Sequence, residues 1–117
     1  MRGKPRKYPH RAGIVYRITC YATGLVYIGK TGNPYPRSRW RVHIQQAKSG
    51  QQTKLHVAMR EYGVDAFEWM PIVCALSGGN LDALEKILIK QYGSDVTGYN
   101  VIGPSYDPPH YFKRKVA

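Results

Sequence analysis

A β-hairpin near the start of the chain is the sequence feature that most constrains the fold. Residues 14–18 and residues 25–29 consist mainly of β-branched, apolar and aromatic residues, which is typical of strands. The intervening residues 21–24, Tyr-Ala-Thr-Gly, have the composition of a turn. The sheet is therefore expected to begin with two antiparallel neighbours, and every later segment must pack against this pair.

Two helices are predicted after the hairpin. Asn33 can cap the first helix, with Pro34 at its first helical position. Thr53 can cap the second helix, and Gly63 can end it. Apolar residues recur at helical spacing in both segments, namely Trp40, Ile44 and Ala47 in the first helix and Leu55, Met59 and Tyr62 in the second.

A strand and a third helix follow. Residues 67–75 have a strand composition, and Pro71 within them favours an edge strand or a bulge because proline lacks a backbone N–H donor. The third helix is expected to begin at the cap residue Asn80 and to end at Gly93. Its buried face is predicted from the spacing of Leu81, Leu84, Leu88 and Tyr92.

This order of elements predicts the fold class. A hairpin, two helices, a strand and a helix form an α/β (α+β) domain whose three-stranded sheet, antiparallel or mixed, is flanked by helices. The predicted domain comprises residues 13–102. It lies between a basic N-terminal arm of residues 1–12 and a basic, proline-containing C-terminal tail of residues 103–117.

The positive charge of the chain is concentrated in its first half. Residues 1–60 contain 13 lysines and arginines and no acidic residue, whereas residues 61–117 contain five basic and seven acidic residues. A carboxylate-free surface of this kind is typical of proteins that bind nucleic acid. A basic protein without nucleic-acid affinity is the alternative that charge leaves open.

Composition excludes other classes. A hydrophobic content of 43% with ten tyrosines is too high for a disordered protein. No apolar run reaches the ~20 residues of a membrane span. No apolar stretch follows the basic N-terminus, so a signal peptide is not predicted and a cytoplasmic location is expected. Cys20 and Cys74 lack metal-ligand spacing, which predicts reduced thiols.

Two tyrosines and a lysine are associated with the hairpin. Tyr16 and Tyr27 lie on different strands, and a turn near Ala22 and Thr23 would place them opposite each other, or nearly so, on one face of the sheet. Lys30 follows Tyr27 by three residues. Tyrosines are common in strands, so a structural role is favoured for either tyrosine taken singly.

Further polar residues lie at the margins of the predicted helix cores. Arg39 and His43 are four residues apart and share a face of the first helix, close to its apolar stripe. Glu85 follows the core position Leu84 on the third helix. A structural Arg39–Glu85 ion pair would explain two of these residues. The whole set favours a functional site on the sheet.

The hairpin resembles the paired signature of the GIY-YIG nuclease family, and in particular its small homing-endonuclease-like catalytic domains. Tyr27-Ile28-Gly29 matches the second half of the signature, and Tyr16 stands for the tyrosine of the first half, with the additional Val15 before it. Further landmarks of the family follow in order, namely Arg39 with His43 one turn later, Leu84-Glu85-Lys86 and Gly98-Tyr99-Asn100. Arg37 is the alternative arginine, although Trp40 beside Arg39 favours Arg39.

The resemblance implies a three-stranded antiparallel sheet and a metal-dependent DNA endonuclease that hydrolyses phosphodiester bonds. It implies that Tyr16 is the general base and that Tyr27 positions the water, although the two roles are interchangeable. His43 would relay or accept the proton. A phenol has a pKa near 10, so only about 0.3% is ionised at pH 7.5. A nearby Lys30 or a bound metal ion would lower that pKa.

The remaining landmarks have implied roles as well. Arg39 would clamp the scissile phosphate through its forked donors. Glu85 would hold one Mg²⁺ or Mn²⁺, because a hard ion suits a carboxylate, water and phosphate oxygens. Asn100 would orient the site or stabilise a turn. His56 is expected to be a surface or packing histidine.

DNA is the expected partner. The basic residues Arg37, Arg41, Lys48 and Lys54 are predicted to contact DNA phosphates, with a solvated surface as the alternative. The chain lacks the recognition region of homing relatives. This predicts weak sequence specificity, recognition of a DNA structure, or targeting by a partner protein. A monomer with one active site would nick DNA. The alternative function is a catalytically silent nucleic-acid-binding module with the same fold.

Overall fold

The computed structural model describes residues 13–100, in which a three-stranded antiparallel sheet has helices on both faces. The strand order is β2-β1-β3. The elements are β1 (Gly13–Cys20), β2 (Val26–Thr31), α1 (Ser38–Lys48), α2 (Lys54–Tyr62), a 3₁₀ turn (Val64–Ala66), β3 (Phe67–Ala75) and α3 (Gly78–Tyr92). The predicted basic arm and tail, and the last two residues of the predicted domain, lie outside the described residues.

The predicted hairpin is present, with its turn near Ala22 and Thr23 as predicted. Tyr16 pairs with Gly29, and Tyr27 pairs with Ile18. The turn is closed by the N–H of Cys20, which donates to the carbonyl of Leu25 at 3.0 Å. Side chains alternate with a period of two, so Tyr27 shares a face with Gly29 and is the diagonal neighbour of Tyr16 on that face.

Strand β3 is an edge strand with a bulge, as Pro71 predicts. The register with β1 shifts because Val15 pairs with Val73 while the next residue, Tyr16, pairs with Pro71. Ile72 is therefore the extra residue of the bulge. The missing N–H of proline is tolerated here because it does not interrupt a central ladder.

The start of α1 differs from the prediction. The helix begins at Ser38 rather than after Asn33. The Asn33 side chain instead accepts the N–H of Tyr35 at 2.8 Å and donates to the hydroxyl of Ser38 at 2.9 Å. Asn33 thus stabilises the turn in front of the helix, since a short polar side chain can bond to backbone groups two residues ahead.

The other helix ends follow the predicted chemistry with one correction. Thr53 caps α2 as predicted, because its side chain accepts the N–H of His56. The cap of α3 is Ser77, whose side chain accepts the N–H of Asn80, so Asn80 lies in the first turn instead. Gly93 ends α3 as predicted, in the left-handed conformation with φ 64°.

Two hydrophobic clusters cover the two faces of the sheet. The first packs α1 and α2 on the face of Tyr16, and its buried members include Ile18, Cys20, Trp40, Leu55, Met59 and Trp69. The second packs α3 on the opposite face, where Leu81 contacts Val15, Ile28 and Ala75 and is accompanied by Leu84 and Leu88. Tyr92, predicted to be buried, is instead 40% exposed. No helix within residues 13–100 is long and apolar enough to cross a membrane.

Candidate active site

The phenol of Tyr16 lies at the centre of the site. Its side chain is completely buried beneath α1, and its Oη is 2.8 Å from Nε2 of His43. The ring of Tyr27 lies 6.3 Å from that of Tyr16 and 5.4 Å from that of His43, measured between centroids. The two strands and the first helix thus bring both predicted tyrosines and the predicted histidine together.

Gly29 provides the space for the Tyr16 phenol. It faces Tyr16 directly across the β1–β2 ladder. A Cβ atom at position 29 would lie 2.5 Å from both Cζ and Oη of Tyr16 and 2.7 Å from the ring of Tyr27. Any larger residue would displace a phenol, so this glycine is required by close side-chain approach, with no need for an unusual backbone conformation.

Arg39 is the cation beside the two phenols. Burial strongly raises the pKa of the Tyr16 phenol, and the neighbouring Tyr27 raises it further, whereas the charge of Arg39 and a hydrogen bond with Arg39 lower it. Burial also raises the pKa of Tyr27, and Arg39 again opposes this effect. Both phenols are therefore neutral near pH 7, and Arg39 is the group that favours an anion at this point.

A second histidine extends the site away from the phenols. His43 Nδ1 lies 3.0 Å from Nε2 of His56, and His56 Nδ1 lies 2.6 Å from Oγ1 of Thr53. Burial, followed by the charge of Arg39, lowers the pKa of His43 to about 3 and that of His56 to about 4. Both imidazoles are therefore uncharged at neutral pH.

His56 is the functional candidate that sequence reasoning undervalued. Of its two predicted alternatives, a surface position is wrong, since the residue is 5% exposed. One signal was available, because α2 carries buried residues on nearly all sides, from Leu55 to Met59. A histidine within such a helix is buried and needs hydrogen-bond partners.

Lys30 does not lie beside the phenols, contrary to its predicted effect on their pKa. Residues 27 and 29 point to the α1 face, so Lys30 points to the α3 face. There its Nζ pairs with Asp82 and lies 3.6 Å from Oε1 of Glu85. The alternative structural pair of Arg39 with Glu85 is likewise replaced by the pair of Lys30 with Glu85.

Glu85 is the residue that could serve as a single metal ligand, as predicted from the resemblance. Its charge is near enough to raise the pKa of both Tyr16 and Tyr27, and its side chain is 22% exposed. Within residues 13–100, no three His, Cys, Asp or Glu side chains converge as a metal cage. One carboxylate fits Mg²⁺ or Mn²⁺, ions that take their other ligands from water and phosphate oxygens.

Asn100 supports the strand that carries Tyr27. Its Oδ1 accepts the N–H of Ile28 at 2.7 Å, and its Nδ2 donates to the carbonyl of the same residue at 2.8 Å. The N–H of Tyr99 donates to the carbonyl of Val26 at 2.9 Å. This segment therefore closes the outer edge of β2, where unpaired backbone groups would otherwise be exposed.

The predicted DNA-contacting residues lie in two environments. Arg37, the alternative to Arg39, is exposed, and its guanidinium lies 5.6 Å from the centroid of the Trp69 ring. Arg41 and Lys48 are exposed on α1. Lys54 is half-buried with Nζ 6.0 Å from the Tyr99 ring centroid, and its burial lowers its pKa.

Comparisons with known proteins agree on one family. The model of the GIY-YIG catalytic domain matches residues 12–100 of the chain. A solved point mutant of the catalytic domain of the intron endonuclease I-TevI is 20% identical, with a TM-score of 0.68, over 81% of this chain and 98% of its own. A second structure, the catalytic domain of the homing endonuclease I-TevI, is 21% identical, with a TM-score of 0.64, over 74% of this chain and 95% of its own. None of the curated proteins matches the sequence.

Proposed function

Since the chain belongs to the GIY-YIG family of nucleases, we propose that it is a divalent-metal-dependent DNA endonuclease with a tyrosine as general base. The observation that carries this proposal is the convergence of the buried Tyr16 phenol with His43, at 2.8 Å, and with Arg39. A module that only binds DNA has no need of a buried phenol bonded to a neutral imidazole. This arrangement is suited to moving a proton.

Tyr16 accepts the proton of the attacking water and passes its own proton to His43. Even an ordinary phenol is only about 0.3% ionised at pH 7.5, and burial raises the pKa of Tyr16 further. A preformed phenolate is therefore too scarce to be the main base. The neutral imidazole of His43 provides a proton acceptor at hydrogen-bond distance from Tyr16. Tyr16 can therefore take a proton from the water while it releases its own proton to His43.

This geometry supports Tyr16 rather than Tyr27 as the base. Tyr16 holds the direct bond to Nε2 of His43, whereas Tyr27 contacts the same imidazole through the edge of its ring. Tyr27 therefore orients the water. Asn100 acts through β2, because its two hydrogen bonds to Ile28 set the position of the neighbouring Tyr27.

Arg39 clamps the scissile phosphate. Its guanidinium offers paired donors that match two phosphate oxygens. In the free protein this charge lowers the pKa of both phenols. The same group thus holds the phosphate beside the base and stabilises negative charge as the pentacovalent phosphorus forms.

Glu85 would hold one Mg²⁺ or Mn²⁺ at a position from which its charge reaches both phenols. When bound, such an ion stabilises negative charge on the phosphate and on the leaving oxygen. Lys30 is the resident partner of the Glu85 carboxylate in the free protein, at 3.6 Å. Its role is therefore to neutralise the acidic pair of Asp82 and Glu85 rather than to activate a tyrosine.

The DNA lies across α1 and the start of α2. Arg37, Arg41 and Lys48 are exposed there and contact phosphates, while Lys54 contributes less because it is half-buried against Tyr99. Such contacts carry no sequence information by themselves. A monomer with this one site would nick DNA.

The test is cleavage of supercoiled plasmid with Mg²⁺ and with Mn²⁺. We expect nicked circles from the wild type and a large loss of activity in Arg39→Ala and Glu85→Gln. Lys90→Gln and Glu61→Gln are controls that each remove one charge elsewhere on the domain. DNA binding without cleavage under either metal would support the silent binding module instead.

A further inference from the structure

Tyr16 is the inner end of a chain of hydrogen bonds that reaches the protein surface. The chain runs from Tyr16 Oη to His43 Nε2 at 2.8 Å, from His43 Nδ1 to His56 Nε2 at 3.0 Å, and from His56 Nδ1 to Thr53 Oγ1 at 2.6 Å. The tyrosine and both histidines are buried, whereas Thr53 is exposed. The phenol is thereby connected to solvent through the start of α2.

Only two arrangements of hydrogen atoms satisfy all three bonds. A neutral imidazole carries one N–H, so each ring donates on one side and accepts on the other. In the first arrangement Tyr16 donates to His43, His43 to His56, and His56 to Thr53. In the second arrangement every donor and acceptor is exchanged, and the Thr53 hydroxyl donates inward. The first arrangement converts to the second when one proton moves one step along each bond, Tyr16 gains a proton from outside the chain and Thr53 releases its own proton.

We propose that His56 and Thr53 form the exit path for the proton that Tyr16 takes from the attacking water. This inference rests on the proposed endonuclease activity. It assigns a role to two residues that contact neither the metal ligand nor the phosphate clamp. Such residues are part of the proton transfer itself, because they carry the proton that the phenol releases.

The proton transfer balances at each group. As the water attacks phosphorus, its proton bonds to Tyr16 Oη and the Tyr16 O–H bond breaks toward His43 Nε2. His43 releases its Nδ1 proton to His56 Nε2, and His56 releases its Nδ1 proton to Thr53 Oγ1. The hydroxyl of Thr53 releases its own proton to bulk water. After the product leaves, Tyr16 releases its proton to solvent, Thr53 takes one proton from solvent, and each proton moves back one step, which restores the first arrangement.

A second observation explains why a path is needed beyond His43. Burial and the nearby Arg39 charge disfavour the imidazolium form of both His43 and His56. His43 therefore cannot store the proton as a cation while the reaction proceeds. Passing it outward keeps both rings neutral and moves positive charge away from the arginine.

The experiment measures single-turnover cleavage by His56→Gln at saturating DNA and Mg²⁺. Glutamine retains polar atoms in the pocket. Unlike an imidazole, its amide cannot accept a proton on one nitrogen while it releases a proton from another. We expect a fall in rate on the order of 10-fold to 100-fold with unchanged DNA affinity. Imidazole added to His56→Ala should restore part of the rate, because it can refill the gap in the chain.

Substitutions at Thr53 separate the proton path from the helix cap. Thr53→Ser keeps the hydroxyl and the cap, so we expect nearly wild-type cleavage. Thr53→Asn keeps the cap but removes the hydroxyl, so we expect a slower rate at unchanged thermal stability. Cleavage rates are also measured as a function of the fraction of D₂O in the solvent. For the wild type, this dependence should indicate that several protons transfer in the same step, and for His56→Gln that fewer do.

The outcomes distinguish the two proposals. A folded His56→Gln or Thr53→Asn protein that cleaves at the wild-type rate would overturn the exit path and leave the endonuclease assignment intact. A wild-type protein that cleaves no DNA with either metal would overturn the endonuclease assignment and the exit path with it. Slow cleavage by both variants, with imidazole rescue of His56→Ala, would support the path.

Discussion

Gly29 and Tyr16 face each other across the β1–β2 ladder so closely that a Cβ atom at position 29 would lie 2.5 Å from the Tyr16 phenol oxygen. The glycine of the second signature half thus makes room for the tyrosine of the first. This relationship explains why the two halves occur together. The first half contributes the phenol, and the second half leaves the space in which it binds His43.

Gly29→Ala should therefore inactivate the enzyme more than it unfolds it. The added methyl group displaces a buried phenol, and overpacking of this kind costs about 1–3 kcal/mol. Displacement also breaks the 2.8 Å bond between Tyr16 and His43. We expect a lower melting temperature, retained DNA binding and loss of cleavage, measured by thermal denaturation, DNA titration and plasmid nicking.

Gly78→Ala is the matched control for this substitution. A Cβ atom at position 78 would meet nothing within 4 Å, and Gly78 lies in the first turn of α3. Alanine is favoured over glycine in helices by up to about 1 kcal/mol. We expect equal or greater stability with unchanged cleavage. Wild-type activity in Gly29→Ala would contradict the proposed function of the glycine.

Sequence reasoning located the sheet and the site because strand alternation survives small errors. The turn lies near Ala22 and Thr23 as predicted, and Tyr16 and Tyr27, expected to be opposite or nearly so, are diagonal neighbours on the same face. The closing bond between Cys20 and Leu25 could not be predicted, since it depends on how the turn residues share their backbone donors. The face of Lys30 was predictable, because three residues from Tyr27 lead to the opposite side of a strand.

The features that sequence reasoning missed are of two kinds. Some depend on which of several nearby polar residues caps a helix, and others on contacts between residues far apart in the sequence. Asn33 and Asn80 are plausible caps, but Ser77 caps α3, and Asn33 bonds to Tyr35 and Ser38 in the turn before α1. The contact of His43 with His56 joins two helices across 13 residues. Periodicity defines which side of each helix is buried, and it does not define which two side chains meet.

Tyr16→Phe and Tyr27→Phe should separate the roles of the two phenols. Removing Oη of Tyr16 deletes the acceptor of the water proton, and general acid–base groups contribute roughly 10²-fold to 10⁴-fold to rates. Tyr27 lacks the direct bond to His43, so its loss should cost less. The measurement is single-turnover cleavage at saturating DNA. A larger loss of cleavage rate in Tyr27→Phe than in Tyr16→Phe would mean that Tyr27 is the general base and that Tyr16 orients the water.

Stability should fall on acidification through the range in which the histidines titrate. The pKa of His43 is lowered from 6.5 to about 3, and that of His56 from 6.5 to about 4, chiefly by burial. The unfolded chain thus binds protons near pH 6.5 that the folded chain binds only near pH 3–4. The free energy of unfolding therefore decreases as the pH falls below about 6.5.

Denaturant unfolding between pH 7.5 and pH 4.5 measures this dependence. His56→Gln removes one of the two titrating rings, so its stability should vary less steeply with pH than that of the wild type. Asn33→Ala, in the exposed turn before α1, is the control and should keep the wild-type slope. An unchanged slope in His56→Gln would mean that another group is responsible.

The salt dependence of DNA affinity should identify the phosphate contacts. Each contact that is lost reduces the slope of log affinity against log salt concentration by about 0.9 for duplex DNA. We expect this change in Arg41→Ala and Lys48→Ala, which are exposed on α1. Lys86→Ala removes an exposed lysine of α3 and should leave the slope unchanged. Equal effects of all three variants would indicate nonspecific attraction.

Lys30→Gln should increase the affinity of the domain for the metal ion. The lysine pairs with Asp82 and lies 3.6 Å from the Glu85 carboxylate, so a bound cation must compete with its charge. Exposed ion pairs contribute only about 0–1 kcal/mol to stability. Lys30 lies on the opposite face of the sheet from the phenols, so its removal should leave the pKa of the phenols unaffected. We therefore expect half-maximal cleavage at a lower Mn²⁺ concentration, with little change in melting temperature.

Lys90→Gln is the matched control, because Lys90 pairs with Asp95 at 2.7 Å beyond the site and at the other end of α3. Its removal should leave the metal requirement unchanged. Direct titration with Mn²⁺ should show tighter binding in Lys30→Gln and none in Glu85→Gln. Lys30→Gln would contradict this prediction if it required a higher Mn²⁺ concentration than the wild type. That result would mean that Lys30 assists cleavage directly and is not a counterion for Asp82 and Glu85.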